Sequence, residues 1–164
     1  MDLFLSTEFD VDPLRVLEVY ESQPYRQQVA DASGMDKELL ERRDEGDVRH
    51  ERIRVQRREP LPGFVAKILG SKTLTYFQID RTELSTGNST WRVEIPALGE
   101  RVSIRGSTTF TPTPRGCVRV VRGSVSVKVP LVGGRIEKAV AGDFQRGAAR
   151  AAEIAKGLLA SESP

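Results

Sequence analysis

Cysteine and histidine are all but missing from this 164-residue sequence, which holds Cys117 and His50 and no other residue of either kind. One cysteine excludes an internal disulfide, and the pair cannot supply the all-Cys/His ligand set of a structural zinc site. No motif calls for a metal or a cofactor. Long apolar runs are also missing, since none approaches the about 20 residues that cross a bilayer as a helix. The opening segment Met1–Asp10 contains Asp2 and Glu8 and lacks the basic start and apolar middle of a secretory signal. A cytoplasmic location is the expectation. Charge of one sign is in short supply too: 25 basic against 23 acidic side chains leave a net +2. That is too small a field to recommend nucleic acid or an anionic membrane as chief partner. Repeats, low-complexity blocks and linker-like stretches are absent, so one domain over residues 1–164 is expected, with Ser161–Pro164 fraying.

What the sequence does contain is strand and helix periodicity in a clear order. Leu3, Leu5, Thr7 and Phe9 alternate as a first strand, with Phe4 as the exception. Asp12-Pro13 opens a helix, because Asp caps free N–H groups and Pro has none to leave unpaired. Pro24 is expected to break that helix, with a second one over Tyr25–Ala32 ended by Gly34. Strand patterns follow over Glu38–Asp44 and Val48–Glu59. Leu61, Phe64, Val65, Ile68 and Leu69 then take helical spacing, closed by Gly70. Four further strands are read over Lys72–Leu84, Trp91–Leu98, Val102–Thr111 and Cys117–Val129. After Gly133-Gly134, a long helix carries Ile136, Val140, Phe144, Ala148, Ala151, Ile154, Ala155 and Leu158 on one face. The expected class is α+β, a curved antiparallel sheet around a long C-terminal helix.

This order resembles the START-like (SRPBCC, Bet v 1-like) superfamily. The segments Leu61-Pro62-Gly63-Phe64-Val65-Ala66-Lys67-Ile68-Leu69-Gly70 and Val127–Lys138 are similar to signature stretches of one bacterial family within it, the domain of unknown function 2505. Trp91 and Val93-Glu94-Ile95-Pro96 sit where that family has comparable residues. The resemblance implies a helix-grip fold that can enclose a cavity. It implies no single activity, because the superfamily hosts lipid carriers, hormone receptors, cyclases and interaction modules.

Strand alternation sends Ile53, Val55, Trp91, Val93, Ile95, Val102, Ile104, Phe110, Val125 and Val127 toward the long helix, where they meet Ile136, Val140 and Phe144. These residues either fill a core or, as the resemblance implies, line a pocket for an apolar, lipid-like or aromatic molecule. Gly106 and Gly123 fit a cavity or a bulge that bends the sheet. A bulge near Gly123 would decide whether Arg119 or Arg122 points inward, where an arginine can hold a carboxylate. The helix bearing Phe64, Val65, Ile68 and Leu69 is either a lid that touches ligand or membrane surface, or a fixed plug.

Arg49, Arg52, Arg54, Arg57 and Arg58 share one strand, but interleaved Glu51 and Glu59 read as a solvated face rather than a nucleic-acid surface. Gly133-Gly134 lacks the spacing of a phosphate loop and reads as a tight turn. His50 and Cys117 form the one possible Cys-His pair, and alternation sends His50 to the opposite face from Ile53 and Val55. No catalytic residue is assigned on these grounds. Three functions fit: a carrier of an apolar ligand, a cyclase- or dehydratase-type enzyme in which Tyr76 or Gln78 polarises a carbonyl in the same pocket, and an interaction module using the lid helix or the basic strand.

Overall fold

A computed structural model describes residues 1–162 of the chain. Among them, seven strands form one antiparallel sheet in the order β1-β7-β6-β5-β4-β3-β2. They are β1 (Asp2–Phe9), β2 (Met35–Glu45), β3 (Val48–Arg57), β4 (Thr75–Glu83), β5 (Ser89–Glu94), β6 (Val102–Pro112) and β7 (Cys117–Val127). The helices are α1 (Pro13–Tyr20), α2 (Gln23–Ser33), α3 (Gly63–Leu69) and α4 (Gly133–Ser161), with one 3₁₀ turn over Gly99–Arg101. Ser161 thus closes α4, and residues 163–164 lie outside the described part.

Local chemistry accounts for the helix ends. The Asp12 carboxylate accepts the Arg15 N–H at 3.0 Å with Pro13 in the first turn. Pro24 does not break α1, which ends at Tyr20. It occupies the first turn of α2, where its missing N–H costs nothing, and Ser22 caps that turn by accepting from the Tyr25 N–H at 3.4 Å. Gly34 and Gly70 end α2 and α3 at φ of 68° and 66°, a region costly for any residue with a side chain.

The strand register is unbroken along β7, so no bulge occurs at Gly123. The irregularity lies on β2, between Leu39 and Glu41. Gly123 and Gly106 are cross-strand partners instead, and the Trp91 indole lies against both. A Cβ on Gly106 would come within 2.5 Å of the indole and 2.2 Å of the Arg122 carbonyl, and one on Gly123 within 2.8 Å of the indole. The other face of the ring stacks on Phe144 of α4, with centroids 5.3 Å apart.

α4 lies over β1 and β7 and is fastened where it begins. Gly133 packs so closely on the Val127 carbonyl that a Cβ would sit 2.4 Å from its oxygen. The Glu137 carboxylate accepts the Val127 N–H at 2.8 Å. The near half of α4 buries Ala141 with Leu3, Ile104, Val125 and Val127, flanked by Ile136, Val140 and Phe144. Its far half packs Ala155 with Phe9, Val16, Val19, Tyr25 and Cys117, which joins α1 and α2 to the sheet.

Gly106→Ala therefore has to displace either the indole or the β7 backbone. Urea unfolding should show a loss of about 1–3 kcal/mol. A substitution without effect would mean that Trp91 does not rest on the glycine pair.

Candidate functional site

Residues paired across an antiparallel sheet share a face, so the register assembles the concave surface in rows. Lys37, Val55 and Tyr76 form one row. Leu39, Ile53, Gln78, Val93, Ile104 and Val125 form the next. Arg42, Glu51, Asp80, Trp91, Gly106 and Gly123 form the third, and Asp44, Arg49 and Thr82 continue into the fourth. Phe110 shares this face, but it lies further along, packed against the cluster of Phe9, Val16 and Cys117 under α1.

The two halves of this surface differ. On β1, β6 and β7 the inward side chains are packed under α4, and Leu3, Ile104, Val125 and Val127 are buried. On β3, β4 and β5 the inward residues Ile53, Tyr76, Gln78, Asp80, Trp91 and Val93 are only half-buried, as is Ile95 just beyond β5. α2 runs alongside β2 and packs on α4, closing that flank. α3 sits at the end of the sheet where β3 leaves and β4 enters, and it meets α4 through Arg135, whose guanidinium lies 5.6 Å from the Phe64 ring centre. Phe64 is exposed while Val65, Ile68 and Leu69 are half-buried. A separate depression of about 550 Å³ along the β7–α4 connection, lined by Val127–Leu131, is shallow and lies outside this enclosure.

The floor of the enclosure is charged. Glu51, 7% exposed, accepts from Arg42 Nε and Nη2 at 3.1 and 2.8 Å. Glu21, just past the end of α1, accepts from Arg49 Nη1 at 2.8 Å and from Arg42 at 3.4 Å. Arg49 also grips Asp44 with two parallel bonds of 2.8 and 3.1 Å. A carboxylate at a helix C-terminus opposes the helix dipole, and the two arginines offset that. The network ties the α1–α2 junction to the β2–β3 hairpin.

Above it, Asp80 is held by Gln78, whose amide donates to both carboxylate oxygens at 3.1 and 3.0 Å. Burial pushes the Asp80 carboxyl up to about 6, the Gln78 bonds oppose this, and the nearby Glu51 charge adds to it. Lys37 is densely surrounded by protein, which lowers its ammonium below the ordinary value; Asp80 opposes and Arg26 of α2 adds to the shift. Even so, the Lys37 side chain is open to water. Burial raises the Tyr76 hydroxyl likewise.

Other residues singled out from sequence do not join this site. His50 lies on the convex face between Arg43 and Arg81, while Cys117 is 1% exposed on the concave side, so the two do not meet. Arg119 faces inward with its guanidinium 4.1 Å from the Tyr20 ring centre, whereas Arg122 faces outward over Phe4 at 5.1 Å. Arg52 and Arg54 lie on the convex face beside Glu94 and Glu38, and Arg58 pairs with Asp31 and Asp36. Arg49 instead belongs to the buried network. The sequence reading missed Lys37, Arg42, Glu51 and Asp80 as inward residues. Glu51 and Arg49 share parity with Ile53, which was a usable signal; the bulge on β2 concealed Arg42.

A family described as "Protein of unknown function (DUF2505)" matches residues 5–159. The chain belongs to that family. No curated protein matches it. Among solved structures, it is similar to TTHA0849 from Thermus thermophilus, at 15% identity and a TM-score of 0.69, with 99% of this chain and 100% of that one covered. A START superfamily protein from Mycobacterium smegmatis gives 12% identity and a TM-score of 0.62, with 99% of each chain covered. The ZhuI aromatase/cyclase from Streptomyces sp. R1128 gives 9% identity and a TM-score of 0.62, covering 96% of this chain and 92% of that one. At these identities the likeness establishes the fold, which is the START-like, Bet v 1-like helix grip of the DUF2505 family.

Asp80 binds its proton more tightly in the folded protein than in the unfolded chain. Its contribution to stability is therefore full below about pH 4 and is lost as pH rises through about 6. Asp80→Asn should stabilise the protein by about 1–2 kcal/mol at pH 7.5, after allowance for its partial exposure, and leave it unchanged at pH 4. Denaturant melts at the two pH values measure the difference, and equal shifts at both would contradict a raised carboxyl.

Proposed function

We propose that this DUF2505 protein holds an apolar small molecule between the β3–β5 part of its sheet and the near half of α4. One observation carries the reading: the inward apolar side chains Ile53, Trp91, Val93 and Ile95 are left half-open, whereas Ile104 and Val125 in the same sheet are sealed. Open apolar surface costs roughly 25 cal/mol for each Å² left in water, and a bound apolar molecule recovers that cost. The lining under this reading is Ile53, Tyr76, Trp91, Val93 and Ile95 from the sheet, with Ile136, Val140 and Phe144 from α4; Val55, Ile104 and Val125, expected beside them, are sealed in the packed core and do not reach it. Phe64, Val65, Ile68 and Leu69 form the cover. Few polar groups stand among many apolar ones in the upper part of this lining, which is the usual make-up of small-molecule sites.

Native mass spectrometry of the purified protein, paired with analysis of an organic extract, should reveal a co-purifying apolar compound or uptake of the uncharged dye Nile red. Val93→Trp, which places an indole in the open space, should weaken dye binding at least tenfold while preserving a cooperative melt. Dye affinity unaltered by that substitution, with no compound in the extract, would remove the proposal.

A further inference from the structure

The space has a polar end, and that end has a sign. Lys37 and Tyr76 occupy the same row of the sheet on either side of β3, flanking Val55, which is completely buried between them. Strands two apart are separated by roughly 10 Å, a gap that a lysine stem and a tyrosine ring rising from one face can span toward each other. Neither side chain is spent on the protein. No hydrogen bond or ion pair among the described residues engages the Lys37 ammonium, which is affected only by burial and by the more distant Asp80 and Arg26 charges. The Tyr76 hydroxyl is affected by burial alone and is not among the sealed, unpartnered polar atoms, so it is open to another molecule.

The acidic groups on this face are engaged, while Arg26 of α2 adds a further cation near Lys37 and forms no ion pair among the described residues. Asp80 is held by Gln78, and Glu51, Glu21, Arg42, Arg49 and Asp44 bind one another. The floor of that network counts three carboxylates against two guanidiniums, and Asp80 above it adds a further acid. An anionic group is thus repelled from the floor and attracted to the row of Lys37 and Tyr76, where two unused donors rise from one face, Arg26 adds positive charge and Asp80 is the acid that opposes it.

We propose that the bound molecule is an apolar carboxylic acid, its carboxylate held by the Lys37 ammonium and the Tyr76 hydroxyl beneath α3, and its apolar body lying along Ile53, Val93 and Trp91. The inference rests on the ligand-holding reading above and adds the ligand class and the orientation. Charge-assisted bonds to a carboxylate inside such an enclosure are shorter and stronger than neutral ones, so the acid outcompetes an uncharged molecule of equal apolar area.

The test compares the fluorescent polyene cis-parinaric acid with its methyl ester at pH 7.5. The wild-type protein should bind the acid at least tenfold more tightly than the ester. Lys37→Met should abolish that preference while leaving ester affinity within twofold, Lys37→Arg should retain most of it, and Tyr76→Phe should reduce it severalfold. Equal affinity of the wild-type protein for acid and ester, a comparison that needs no variant, would overturn the assignment of a carboxylate yet leave the apolar site standing. A preference that survives in a folded Lys37→Met protein would likewise overturn the role of Lys37. If neither compound binds, both this inference and the ligand-holding reading fail.

Discussion

The arrangement depends on one aromatic contact. Trp91 is laid flat against a cross-strand pair of glycines and capped by Phe144. Because neither Gly106 nor Gly123 has a side chain, the indole drops to the level of the β6–β7 backbone, and α4 approaches those strands closely. A rigid helix that is close to β1 and β7 must stand away from β3 and β4, since the sheet curls and the helix does not. The half-open inward side chains of β3–β5 are the geometric remainder of that contact.

The concave surface then divides by chemistry as well as by distance. Under α4 the rows end in valine, isoleucine and leucine. Toward β2 the row of Ile104 and Val125 ends in Leu39, and the next two rows end in Arg42, Glu51, Arg49 and Asp44, most of them neutralised within the network. Removing the arginine partner of the buried Glu51 leaves a buried charge unpaired, so the network links the β2–β3 hairpin to the α1–α2 junction. Lys37 and Tyr76 lie outside the network and their side chains form no hydrogen bond or ion pair among the described residues, which is what the proposed carboxylate site draws on.

Much of this was legible in the sequence. The strand and helix order, the Asp12 cap, the glycines closing α2 and α3, and the turn into α4 each follow from local rules, and the observed elements differ from the expected ones mainly at their ends. The Val127–Lys138 stretch that carried the family resemblance turns out to be a joint, with Gly133 against the Val127 carbonyl and Glu137 on the Val127 N–H. Pro24 was misjudged because proline at the start of one helix and proline at the end of another look alike in a short run. The candidate site was legible only on its apolar side. Strand alternation finds inward valines because solvent and core sort them, whereas an inward arginine or lysine carries no such mark, and one extra residue on β2 reversed the parity beyond Leu39. Gly123 pointed to a bulge when its purpose was room for an indole that arrives from β5.

The helices around the space are not equally secured. α1 buries Val16 and Val19, α2 buries Tyr25 and Ala30, and α4 buries Gly133, Ala141, Ala152 and Ala155, whereas α3 buries no residue completely. Moving α3 aside therefore breaks the fewest packed contacts, and local openings of low free energy are drawn from such segments. Under the proposed function, traffic into and out of the interior is a matter of how often these seven residues lift away, and residence time is tuned with least effect on folding at Phe64, which is exposed.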